Sequence, residues 1–179
     1  MCIAVDDVDF SNNVWTAKDI TANYNTDCSS EWTVYTVDEE LDTALETTPG
    51  LDEDGDGKIT YEEAQAFTGT LDLKGKNISS VKGLEAFTNA EVIDISGNII
   101  TDISSLLKAN AVLVQSKITG KRKEINRSKN NVKKLIVANN LIEEIDISEI
   151  SNITELDARN NNLTLLNLKN GNNDKIIAL

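Results

Sequence analysis

Four stretches decide the fold: LDLKGKNISSVKGLEAFTNA (residues 71–90), VIDISGNIITDISSLLKAN (92–110), LIVANNLIEEIDI (135–147) and LDARNNNLTLLNL (156–168). Leu71 and Ile93 open the same phrase 22 residues apart, and Leu135 and Leu156 open it 21 apart. Apolar positions align behind them: Leu73 with Ile95, Ile78 with Ile100, Val81 with Ile103, and Leu84 with Leu106. A fixed period of this size marks a stack of similar units, each burying its apolar face on its neighbour. Every apolar-x-apolar pair predicts a short strand that sends alternate side chains inward. Asn98, Asn140 and Asn161 fall five residues after the first apolar position. An amide there can bond backbone groups of its own turn and of the next one. Lys76 takes that place in the first unit, as suits an end turn with one neighbour. Ile93 and Leu135 are 42 residues apart, twice 21, so one degenerate unit is expected between them. Ile177 falls 21 after Leu156, and IIAL at 176–179 reads as the start of another.

The phrase L-x-L-x-x-N-x-L is that of a leucine-rich repeat. The expected fold class is an α/β repeat, a solenoid with short parallel strands. The repeat length and the phrases ISGNIITDIS and LTLLNLKNGNN resemble bacterial surface leucine-rich repeat proteins. These include the internalin-like group and, more closely, flavobacterial and Bacteroides-type proteins. The resemblance covers about residues 71–179. It implies a right-handed extracellular solenoid used for binding or adhesion, with a protein or glycan ligand, rather than for catalysis. The usual surface would be the concave sheet, with outward positions Asp72, Lys74, Asp94, Ser96, Ile136, Ala138, Asp157 and Arg159. These are mixed in charge, and residues 88–179 contain no aromatic. They therefore supply neither a sugar-stacking platform nor aromatic protein hot spots. The alternative function is a structural spacer within a larger surface protein, with no ligand of its own.

The chain has 179 residues, 40% of them hydrophobic and 26% charged, a globular balance. Lys+Arg number 17 against 30 Asp+Glu, a formal net charge of -13, which disfavours a nucleic-acid or anionic-membrane partner and favours a cation. The absence of histidine excludes an imidazole base, a Ser-His-Asp triad and a His-ligated zinc, and two cysteines exclude a four-thiolate site. Carboxylate pairs such as Glu143 and Glu144 have no defined partner, and no enzymatic activity is expected. The acids concentrate before residue 70, where only Lys18 and Lys58 oppose them. One stretch reverses the balance: KITGKRKEINRSKNNVKK (117–134) carries eight bases against Glu124. Without an interleaved aromatic to stack bases, it reads as a solvated turn facing the acidic first half rather than a nucleic-acid site.

Within that acidic half, DEDGDGKITYEE (52–63) matches the twelve-residue EF-hand calcium loop throughout. Asp52, Asp54 and Asp56 would supply side-chain oxygens at positions 1, 3 and 5. Gly57 permits the sharp turn, Lys58 offers its backbone carbonyl, and Thr60 ligates directly or through water. Glu63 would reach back as the bidentate ligand. An incoming helix is expected from Asp38 to Thr47, capped by Asp38, with Leu41, Ala44 and Leu45 as its buried stripe. Pro49 and Gly50 end it, and an exit helix would run from Thr60 or Tyr61 to about Phe67. A single loop suggests a structural Ca2+ site rather than a sensor. The helix pair would cover the open end of the solenoid.

The expected division is a cap-like segment at 1–29, an EF-hand-containing helical cap at 30–70, and repeats at 71–179 that end incomplete. The phrase C-I-x-V-D-D with a following Trp and a late Cys resembles the closing segment of a flavobacterial leucine-rich repeat domain. There it follows a turn like NLKNGNN, which here occupies 167–173. The resemblance implies a Cys2–Cys28 disulfide, worth about 3.5 kcal/mol on the loop-entropy estimate, and an oxidising compartment. Two free thiols are the other reading. On the same resemblance, the chain is the tail of one solenoid unit followed by most of the next, within a longer exported protein. Its unfinished ends are then expected to associate head to tail. No stretch has the apolar length of a transmembrane helix, so no membrane insertion is expected.

Overall fold

Leu71, Ile93, Leu135 and Leu156 stand side by side in one parallel sheet. The computed structural model describes residues 2–4, 23–25, 32–108, 111–117, 119–126, 130–169, 171 and 177–178. In chain order its elements are β1 (Cys2–Ala4), β2 (Asn23–Asn25), β3 (Trp32–Val34), α1 (Glu39–Glu46), α2 (Tyr61–Ala66) and β4 (Thr70–Asp72). A 3-10 turn (Leu84–Ala86) follows, then β5 (Val92–Asp94), α3 (Ser104–Lys108), β6 (Ala111–Ser116) and β7 (Arg122–Asn126). The last are β8 (Lys134–Ile136), β9 (Glu144–Asp146), β10 (Glu155–Asp157), β11 (Leu165–Asn167) and β12 (Ile177–Ala178). The main sheet runs β4-β5-β8-β10-β12, every neighbouring pair parallel.

The inward residues of these strands are sealed. Leu71, Leu73, Ile93, Ile95, Leu135, Val137 and Leu156 are at most 1% exposed, and the aligned Ile78, Ile100 and Ile142 are fully buried. Each turn leaves its strand through a residue with positive φ: Gly75 (64°), Gly97 (68°), Asn139 (56°) and Asn160 (54°). Only Gly and Asn tolerate that geometry readily, which explains why the column holds nothing else. The next residue in three of the turns is the conserved-pattern Asn. Asn98 donates to the Leu73 and Ile95 carbonyls at 2.9 and 2.8 Å and accepts from the Lys76 and Ile78 N–H groups. Asn161 likewise donates to Val137 and Ala158 and accepts from Ile142.

The degenerate unit expected between Ile93 and Leu135 is absent from the stack. β5 pairs directly with β8, Ile93 opposite Leu135, and Asn140 donates to the Ile95 carbonyl at 2.9 Å. The intervening chain leaves the solenoid as the antiparallel hairpin β6–β7, whose outer partner is β3. Residues 111–126 alternate as a strand pair, and Val112 and Val114 of β6 are fully buried. The basic β7 has no apolar pair to fill a core slot, so the turns on either side close over its absence. A smaller correction concerns the last strand. Ile177 lies opposite Glu155 and Ala178 opposite Leu156, a 22-residue offset rather than 21.

The back of the solenoid changes character along its length. The first two turns use the 3-10 turn and α3, where Leu84 and Phe87, and Ile103, Leu106 and Leu107, recur at helical spacing. The next two use β9 and β11, which pair parallel, with Ile145 and Ile147 buried at a spacing of two. β1 and β2 also pair parallel, with Cys2 opposite Asn23, the same 21-residue offset found between solenoid strands. Cys28, and with it the proposed disulfide, lies outside the described residues.

The chain before the first turn shares its core. Leu41, Ala44, Leu45, Leu51 and Ala64 are buried in the same cluster as Leu71 and Leu84, and Phe67 meets Phe87 edge to face at 6.3 Å. Asp38 fastens the junction. One carboxylate oxygen accepts from the Leu41 N–H at 2.9 Å, capping α1, and the other accepts from the N–H groups of Ser79 and Ser80 and the Ser79 hydroxyl. Burial alone would raise the Asp38 pKa, but these hydrogen bonds hold it below the ordinary aspartate value. No helix among the described residues is long and apolar enough to cross a membrane.

Two stability measurements follow from these contacts. Asn98→Ala strands two N–H groups and two carbonyls and should cost about 3–4 kcal/mol in denaturant unfolding. Asn161→Ala, in a half-buried turn, should cost about half as much. Asp38→Ala should cost about 2–3 kcal/mol at pH 7. Because the folded pKa of Asp38 is lowered, its contribution is present above the unfolded aspartate value and disappears as pH falls through the folded one. The gap between wild type and Asp38→Ala should therefore narrow below about pH 4; a gap constant from pH 7 to pH 2.5 would contradict the assignment.

Candidate functional site

α1 ends at Glu46, and Thr47, whose N–H bonds Thr43 and Leu45 carbonyls, closes it. Leu51, 1% exposed, then anchors the chain before it enters the acidic loop. Gly55 and Gly57 take positive φ, 70° and 72°, and turn the loop around the Asp52 carboxylate. That carboxylate accepts from the Gly55 and Gly57 N–H groups, both at 2.9 Å. The Gly57 hydrogen bond, with that of Gly55, keeps the Asp52 pKa below its ordinary value despite some burial. On the far side, Glu63 accepts from the Glu53 N–H at 2.9 Å through one oxygen. Through the other it accepts from the Thr60 N–H and hydroxyl, both at 2.7 Å. Thr60 is the N-cap of α2 and receives the Glu63 N–H in return, a reciprocal capping box.

The fold thus gathers three of the six residues that the sequence nominates. Carboxylate oxygens of Asp52, Asp54 and Glu63 lie within 4.8 Å of one another, a spacing that a hard divalent cation can bridge. Asp56 is turned outward: one oxygen accepts from the Lys58 N–H, and the other accepts from the Lys117 ammonium of the hairpin. The Thr60 hydroxyl is engaged by Glu63. The Lys58 side chain points away from the loop to Glu46 at 2.8 Å and Asp42 at 3.6 Å, chiefly the Glu46 bond raising its pKa. Ile59, 5% exposed, gives its carbonyl to the Val34 N–H at 2.9 Å, and Thr33 and Thr60 form an antiparallel bridge. β3 therefore holds the loop on one edge and β6 on the other.

The hairpin shows what a reading of residues 117–134 alone misses. The Arg122 guanidinium lies 4.1 Å over the Tyr35 ring and the Lys123 ammonium 3.9 Å over the Trp32 ring. The aromatics absent from the basic stretch arrive from about 90 residues earlier in the chain. Lys133 pairs with Glu91 at 2.7 Å and Lys134 with Glu155 at 2.8 Å. The charges of this stretch are thus spent on partners within the protein. Lys133 and Glu91 also border an open polar groove of about 610 Å3 along the turns that lead into the strands, where Asn131 donates to Asn89.

On the sheet face, Asp72, Asp94, Ile136 and Asp157 stand in register. The next row is uneven. Lys74 and Arg159, at the ends, are exposed, whereas Ser96 and Ala138 are only 5% and 4% exposed. Those two have a stacked turn on each side, so they leave the accessible face. The aspartates also serve the fold: each accepts the N–H two residues ahead, from Lys74 (3.2 Å), Ser96 (2.9 Å) and Arg159 (3.2 Å). Asp157 is further gripped by the Arg159 guanidinium, the main reason its pKa is lowered.

Register, period and the asparagine bonds together define a leucine-rich-repeat solenoid of parallel strands. Among solved structures, an internalin of Listeria monocytogenes is similar over 73% of this chain, with 23% sequence identity and a TM-score of 0.48. The chain spans 32% of that internalin's length. No protein-family model and no curated protein matches the chain.

The exposed ends of the sheet face can be altered without harm to the fold. Arg159→Ala, which removes a 62%-exposed side chain from an ion pair, should cost less than about 1 kcal/mol. Asp157→Ala also frees the Arg159 N–H from its turn and should cost about 1–2 kcal/mol. Thermal melts of the two variants check the ranking, and equal costs would show that Asp157 has no role in the turn.

Proposed function

We propose that the protein is a calcium-stabilised extracellular binding or adhesion module, with the solenoid as the scaffold for a protein partner. The observation that carries the calcium reading is the convergence of Asp52, Asp54 and Glu63 oxygens on one point within a complete twelve-residue ligand pattern. The donor set suits a hard cation: all oxygen, rich in carboxylate, with Asp56, the Lys58 carbonyl and Thr60 nearby to complete it. Crowded carboxylates repel one another, and a divalent cation relieves that repulsion. The extracellular assignment rests on the resemblance of the repeat phrases. The recognition surface is the register of Asp72, Asp94, Ile136 and Asp157 with Lys74 and Arg159 at its edges. Its mixed charge and lack of aromatics favour a polar protein surface over a sugar ring. A spacer role is the second reading, favoured by the aspartates' turn-holding bonds.

Calcium should bind once per chain, with a dissociation constant of about 0.1–1 mM, the range of extracellular modules. At about 2 mM free calcium this stabilises the fold by roughly 0.7–1.8 kcal/mol. The expected result is a modest rise in melting temperature that a chelator reverses. Calorimetric titration of wild type, Glu63→Gln and Lys58→Ala decides the matter. Glu63→Gln should bind most weakly, because it removes charge from the bidentate ligand, while Lys58→Ala should match wild type because only its carbonyl ligates. Equal affinities for wild type and Glu63→Gln, or no heat from either, would reduce the motif to an acidic turn.

A further inference from the structure

Lys117 is the one residue outside the loop whose charge enters it among the described residues. It sits in the turn that follows β6, and its ammonium is hydrogen-bonded to Asp56 and lies 3.9 Å from an Asp54 oxygen. The side chain is 21% exposed, well covered for a lysine in a surface turn. Its position is set from both sides by one strand. β3 pairs with β6 so that Trp32 lies opposite Ser116, the residue before Lys117, and β3 also receives the loop through Val34 N–H and the Ile59 carbonyl. The hairpin turn and the loop are therefore clamped to the same short strand, which brings an ammonium from 61 residues away onto Asp56.

We propose that Lys117 is the built-in cation of this loop. It neutralises Asp54 and Asp56 in the metal-free protein and is expelled when calcium enters, releasing the β6–β7 turn. This rests on the calcium reading above and adds a competitor to it. Asp54 and Asp56 are nominated ligands at positions 3 and 5, so the same oxygens cannot serve both a divalent ion and the ammonium. Two cations at that separation repel, and the tethered one is free to swing out. By linkage, whatever favours the free turn favours calcium, and the reverse. The excess of bases in the hairpin then has a purpose beyond balancing the acidic half. Loading the loop changes the charge and mobility of a surface two strands away.

The full chain tests this in two ways. Calorimetric calcium titrations compare wild type with Lys117→Met and with Lys121→Met, which removes the same charge from the same turn. Lys117→Met should bind about fivefold more tightly than wild type, the effect of losing an ion pair that calcium must otherwise break. Lys121→Met should stay within about twofold, since a screened surface charge acts weakly at longer range. In parallel, acetylation of wild type by an amine-reactive reagent, read by peptide mass spectrometry, should speed up at Lys117 on calcium addition while Lys121 stays unchanged. Equal affinities for the two variants, or calcium-independent acetylation of Lys117 in a chain that binds calcium, would overturn the proposal and leave the calcium loop standing. Absence of binding heat in both wild type and Lys117→Met would remove the loop reading and the proposal with it.

Discussion

A chain that leaves a strand at every turn must do something with the backbone groups it frees, and here asparagine does it. Asn98, Asn140 and Asn161 each tie carbonyls of their own turn and the preceding one and receive N–H groups from the preceding turn. With those groups satisfied, the leucine and isoleucine faces can pack without buried polar orphans. The positive-φ residue just before each asparagine, Gly97, Asn139 or Asn160, aims the amide. The parallel register, the dry core and the flat column of aspartates on the sheet all follow from this repeated bend.

The repeat was legible because it is local. A period of 21 or 22, an inward pair and a fixed asparagine lie within one window of the chain, and the aligned positions Ile78, Ile100, Val81, Ile103, Leu84 and Leu106 are all buried. The extra hairpin was not legible, because 42 residues happen to be twice the period. Arithmetic along the chain cannot distinguish a weak turn inside the stack from a segment that leaves it. The clue lay in what residues 117–134 lack, an apolar pair able to fill a core slot. The second strands β9 and β11 were hidden for a related reason, since Ile145 and Ile147 read equally well as the apolar back of any turn. Contacts between distant segments carried no local signal at all. Nothing around Lys123 announces Trp32, and nothing around Asp38 announces Ser79.

The acidic loop shows a different division. Its ligand pattern is readable from twelve residues, and the convergence of Asp52, Asp54 and Glu63 is the local folding of those residues. What surrounds it is tertiary: β3 along one edge, the Lys117 turn against Asp56, and Glu46 and Asp42 holding Lys58 aside. The lopsided charge of the two halves is thereby resolved in space. The basic excess of the hairpin is folded back onto the acids that precede residue 70, and the long-range attraction shortens the search for that contact.

The bond between Asn140 and Ile95 also has a mechanical meaning. It joins two turns across 45 residues of chain, and the pairing of β5 with β8 runs beside it. A pull along the solenoid is carried through that clasp, and the hairpin bears none of it. Should the clasp part, the sequestered segment would pay out at up to roughly 3.5 Å per residue, on the order of 150 Å of slack. The excursion is then a store of hidden length, held in reserve in the middle of the protein rather than at its ends.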